Sequence, residues 1–118
     1  MPLTTKRRRE VRYHLKEPIE IKVLLRSLRR GTSRGVDAVL TDVSKGGLGI
    51  LVQEHVALET RCYVEVPAGG RIRRFKGEVC YGQRREKGIK LGIMLVPDSP
   101  MSVLEFLEKH EVELTPGG

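Results

Sequence analysis

A chain of 118 residues, 39% hydrophobic and 31% charged, suits a single domain that buries roughly two-thirds of its unfolded surface, so a core can form without staples. The formal net charge of +7 favours an anionic partner, whether nucleic acid, nucleotide or lipid headgroup. No apolar run nears the ~20 residues that a bilayer crossing takes, and the opening "MPLTTKRRRE" has no h-region, so the expectation is a cytoplasmic protein with no membrane span.

The positive charge is concentrated early. "KRRREVR" (residues 6 to 12) packs five cations against one acid, while the segment from Asp98 onward is net acidic. "EPIEIKVLLRSL" (Glu17 to Leu28) then alternates Ile19, Ile21, Val23 and Leu25 with polar positions, the period of a half-buried strand. After the turn "RRGTSRG" comes a second strand, "VDAVLTDVS" (Val36 to Ser44), with Val36, Ala38 and Leu40 on one face and Val39, Thr41 and Val43 on the other. "GG" interrupts it, and "LGILV" (Leu48 to Val52) makes a third. "TRCYVEVP" and "RIRRFKGEVCYG" pair across "AGG" as a hairpin, and "GIKLGIMLV" closes the set.

Six short strands joined by glycine-containing turns predict an all-β domain, an antiparallel sheet curled into a small barrel that leaves no exposed edge. In "DSPMSVLEFLEKHEVEL", Ser99 is the expected N-cap and Pro100 the first helical residue, with Val103, Leu104, Leu107 and His110 on one helical stripe against the barrel. The division expected is a basic arm over 1–16, barrel and helix over 17–112, and a frayed tail over 113–118. Cys62 and Cys80 sit in apolar stretches without a CxxC pair or a histidine at ligand spacing; both are expected to be buried free thiols, with no metal site.

Two motifs carry chemistry. Arg8 and Arg12 lie four positions apart with Arg7 beside them. A guanidinium can grip phosphate bidentately, donate two hydrogen bonds to the Hoogsteen edge of guanine, or stack on a base; the same run can equally be a solvated arm with salt-sensitive affinity for any polyanion. The stretch "DVSKGGLG" (Asp42 to Gly49) puts an acid and a hydroxyl on one strand face. Asp42 can accept from the ring N–H and exocyclic amine of guanine, Ser44 can serve a phosphate or a base edge, and Gly46 and Gly47 allow positive φ and close approach. The alternative is an Asx or Ser turn whose side chains satisfy local backbone groups.

Taken together, Arg8-x-x-x-Arg12 and Asp42-x-Ser44-x-x-Gly47 resemble the RxxxR and D/N-x-S-x-x-G motifs of the PilZ family of bacterial cyclic di-GMP receptors. "FKGEVCY" and "GIKLGIML" are similar to that family's fifth and sixth strands, and the likeness runs from Lys6 to about Glu111. The resemblance implies a six-stranded PilZ barrel with a C-terminal helix. It also implies a ligand, cyclic di-GMP, held by Arg8 and Arg12 at guanine edges and phosphates, by Arg7 at a phosphate or by stacking, and by Asp42 and Ser44 at a guanine, over the open backbone of Gly46 and Gly47. Many members carry a tryptophan where this chain has Tyr81, which can still stack but over less area.

Other classes fit less well. His14, His55 and His110 stand in unrelated contexts and no second carboxylate lies beside Asp42, so no catalytic residues and no enzyme are expected. A nucleic-acid-binding OB-like barrel would use several aromatic platforms, and the chain has two phenylalanines and three tyrosines. A PilZ-type protein adaptor that has lost nucleotide binding would be marked by loss of the arginines, and they are present. A receptor of this kind would report through a downstream protein that the sequence does not name.

Overall fold

The alternation over Ile19 to Leu25 does build a strand, but a longer one: β1 spans Arg12–Arg26, fifteen residues, and begins five positions earlier than expected. The structure, a computed structural model, describes residues 11–26, 33–97 and 101–117. The other strands are β2 (Ser33–Ser44), β3 (Gly47–Val52), β4 (Arg61–Ala68), β5 (Arg71–Arg85), β6 (Gly88–Leu95) and β7 (Leu114–Pro116), with one helix among the described residues, α1 (Val103–Lys109).

All pairings are antiparallel, and the order β2-β3-β6-β5-β4-β1 with a further β1–β2 ladder closes six strands into a ring. This is the barrel that the short strands and turns predict, and it removes the free edges of an open sheet. The long β1 shares its partners: β2 along most of its length, β4 at Lys22 to Leu25, and β7 at Tyr13 to Leu15. Residues 114–116, expected to fray, thus form a short seventh strand; it is pinned further by Gly117 N–H donating to the Arg12 carbonyl at 2.7 Å. Three residues without alternation carry no strand signal of their own; the edge of β1 supplies it.

Leu40, Leu48, Ile50, Leu91 and Ile93 fill the barrel, and α1 caps it with Val103, Phe106 and Leu107. Phe106 packs on Phe75 at 6.1 Å between ring centroids, and His110 packs edge-on against Phe106. The helix starts at Ser102, not Ser99: its hydroxyl accepts from Glu105 N–H while the Glu105 carboxylate accepts from Ser102 N–H, a reciprocal capping box. Ser99 and Pro100 lie outside the described residues. The β4–β5 turn needs its glycines, since Gly69 and Gly70 have φ of 59° and 75° and a Cβ at Gly69 would strike the His110 ring. Cys62 is buried, its thiol pushed up to about 12 by burial and by the Glu78 charge. Cys80, expected to be buried, is exposed because it falls at an irregularity in β5.

Candidate functional site

Simple alternation would send Asp42 to the same side as Leu40, into the core. The ladder instead slips once: Leu40 pairs with Ile50 but Asp42 pairs with Gly49, leaving Thr41 as the extra residue of a β-bulge. Val43 then takes the inward place, fully buried, while Asp42 and Ser44 turn to the outer face. A second bulge does the same in β5, where Val79 pairs with Ile93 and Tyr81 with Gly92, so Tyr81 leaves the side on which Val79 is buried. β1 is also irregular at this level, between His14 and Ile19. Since Gly49 pairs with Gly92, one row crosses five strands: His14, Asp42, Gly49, Gly92, Tyr81.

Arg12, the register partner of Ser44, shares this outer face and places Nη1 2.6 Å from Asp42 Oδ2. On the other oxygen, Lys90 Nζ donates to Oδ1 and the Thr41 hydroxyl donates to it at 2.7 Å, with Lys90 also 3.0 Å from Thr41 Oγ1. Asp42 is 3% exposed, Lys90 17% and Arg12 40%, so a buried carboxylate is covered by a graded pair of cations. Burial alone would raise the Asp42 carboxyl. The hydrogen bonds from Lys90 and Thr41 and the charges of Lys90 and Arg12 outweigh it and hold the group below the usual carboxylate range.

Glycines make this face possible by close approach. A Cβ at Gly49 would sit 2.3 Å from Asp42 Oδ1 and 2.7 Å from Lys90 Cε, so Lys90 reaches Asp42 only because nothing stands on β3 between them. A Cβ at Gly92 would fall 2.0 Å from the Tyr81 ring, which therefore lies over bare backbone. Gly47 would meet the Ile93 carbonyl at 2.7 Å. Neither Gly46 nor Gly47 uses the positive φ that glycine allows; among the described glycines that conformation belongs to Gly69, Gly70 and Gly88. Gly46 instead accepts from Leu95 N–H at 2.9 Å, tying the turn to β6.

The residues marked from sequence are thus partly assembled. Arg12, Asp42, Ser44 and Tyr81 share one outer face. The Tyr81 hydroxyl is raised by burial, lowered by Arg12 and raised by Asp42, which puts it within electrostatic reach of both. Ser44 makes a local contact, donating to the Gly47 carbonyl at 3.4 Å as in a serine turn. Arg7 and Arg8 lie outside the described residues. Thr41, Gly49, Lys90 and Gly92 were not anticipated; their signal is the cross-strand register, which no local pattern carries. Among the described residues no group of three or more His, Cys, Asp or Glu side chains could hold a metal, and no helix is long and apolar enough to cross a membrane.

The PilZ domain family model matches residues 6–109. The chain belongs to the PilZ family. That span takes in the PilZ barrel and α1 and both sequence motifs. Among solved structures, the PilZ domain with c-di-GMP of YcgR from Escherichia coli is similar at a TM-score of 0.62 and 19% identity, over 90% of this chain and 88% of that one. Comparison with curated proteins gives no match.

Proposed function

We propose that this PilZ domain is a receptor for cyclic di-GMP, with the outer face around Asp42 as its binding site. The observation that carries the reading is the meeting of two motifs 30 positions apart, Arg12 Nη1 standing 2.6 Å from Asp42 Oδ2 on one strand face. Family membership and the likeness to a PilZ domain bound to c-di-GMP support it. A carboxylate held ionised accepts from the guanine ring N–H and amine. Arg12, with Arg8 and Arg7 from the preceding segment, supplies guanidinium forks for phosphates and Hoogsteen edges, and Tyr81 offers a ring for stacking beside the bare backbone of Gly92. Ser44, Gly46 and Gly47 shape the turn beneath the ligand.

In this reading nothing is catalysed. The four cations Lys6 to Arg9 repel one another until a dianionic ligand arrives, and its phosphates draw the segment carrying Arg7 and Arg8 across the face, changing the surface offered to a downstream protein in the cytoplasm. Calorimetric titration tests the binding claim. Cyclic di-GMP should bind with preference over GTP and a linear guanine dinucleotide, and no heat at millimolar ligand in moderate salt would overturn it.

A further inference from the structure

We infer that Lys90 is a ligand-binding residue held on Asp42 until the ligand arrives, an ammonium that transfers from the carboxylate to a phosphate of the dinucleotide. This rests on the reading of the face as a cyclic di-GMP site and adds to it a residue outside both motifs.

An ionised carboxylate offers about four acceptor positions, two on each oxygen. On Asp42, Oδ2 receives Arg12, while Oδ1 receives both Lys90 and Thr41. A guanine presenting its ring N–H and amine needs one position on each oxygen. Oδ2 has room beside Arg12; Oδ1 is full, so one resident donor must leave. Thr41 belongs to the bulge, and turning its hydroxyl to the Gly49 carbonyl would exchange a 2.7 Å bond to a carboxylate for a 3.2 Å bond to a neutral oxygen, whereas Lys90 can exchange one anion for another. Lys90 is the donor built to move: a point charge on a flexible four-carbon stem, 17% exposed, whose path over β3 is clear because position 49 has no side chain.

An ammonium does not leave a buried carboxylate for nothing, and a neutral nucleoside gives it nowhere to go. A phosphodiester does. The exchange keeps Lys90 paired before and after binding, keeps Asp42 from being left uncompensated in the free protein, and makes release of the guanine-binding carboxylate conditional on an anion in the same ligand.

The test is calorimetric titration of cyclic di-GMP into the wild-type chain, Lys90→Met and Lys90→Arg at several salt concentrations, with a thermal melt of each protein. Lys90→Met should bind on the order of tenfold more weakly at low salt, a net loss smaller than that of an unshared charged contact, and its affinity should fall less steeply with salt than wild type because one ion contact is gone. Lys90→Arg should recover most of both properties. If the wild-type chain binds and Lys90→Met binds equally well or more tightly, or if its salt dependence is unchanged, Lys90 only buttresses Asp42 and the inference fails. Failure of the wild-type chain itself to bind would overturn the reading of the face, and the inference with it.

Discussion

Two cation–carboxylate pairs join β1 to β2 at the same separation. Lys22 Nζ stands 2.6 Å from Asp37 Oδ1, and Arg12 Nη1 stands 2.6 Å from Asp42 Oδ2. The surroundings differ. Asp37 is 90% exposed in regular ladder, where Lys22 and Asp37 are direct partners. Asp42 is 3% exposed at a bulge, beside a glycine, with a second cation and a hydroxyl on its other oxygen. A distance alone therefore says little about what a pair does. The exposed one is worth about 0–1 kcal/mol and is screened by salt, whereas the sheltered one concentrates charge and directed hydrogen bonds where water is scarce.

The largest contrast should come from deleting the two acids in turn. Asp42→Ala should lose cyclic di-GMP binding by roughly a hundredfold or more, since two charge-assisted hydrogen bonds at about 1.5–3 kcal/mol each go with it. Asp37→Ala should leave affinity unchanged and stability within about 0.5 kcal/mol. Equal effects in calorimetry would erase the distinction between the two pairs. Arg12→Ala comes next, with an expected affinity loss of about 10- to 150-fold. Its guanidinium is 40% exposed and outside the core, so the melting temperature should stay close to wild type; normal binding with a much lower melt would make Arg12 structural.

Gly49→Ala sharpens the comparison without touching a charge. The added methyl would lie 2.3 Å from Asp42 Oδ1 and 2.7 Å from Lys90 Cε, so it should push the carboxylate out of the place where it would receive the guanine and weaken binding about tenfold, in line with one lost charged contact. The smallest effect concerns pH. Asp42 is held below its ordinary value, so the stability it contributes is complete above the unfolded carboxylate pKa of about 3.9 and is lost as pH falls through the still lower folded value. Acid melts of wild type and Asp42→Asn should converge as pH drops below about 4 and differ most near neutrality; a constant gap across that range would contradict the assignment.

Much of this was legible in the sequence, and what was not has identifiable causes. The strands of the barrel follow from alternation at Ile19 to Leu25 and Val36 to Leu40, and the glycine pair at 69 and 70 marks the hairpin that forms there. Asp42 and Arg12 are visible as motif residues. The bulges at Thr41 and Cys80 are not, because alternation assumes an unbroken pleat, and both bulges reverse the face of the residues that follow. Lys90 is hidden for another reason. It stands 48 positions from Asp42, and the two meet only once β3 places a glycine between their strands.

The central claim, that ligand chemistry belongs to the sheltered pair and its row rather than to the basic surface at large, is tested most directly by amide NMR during titration with cyclic di-GMP. Shifts should concentrate at Asp42, Ser44, Gly49, Gly92 and Tyr81 and saturate at the calorimetric stoichiometry, with Lys22 and Asp37 unmoved although they bridge the same two strands. Saturating binding whose shifts fall on Lys22, Asp37 or the β4–β5 hairpin, and leave Asp42 and Gly49 in place, would contradict it.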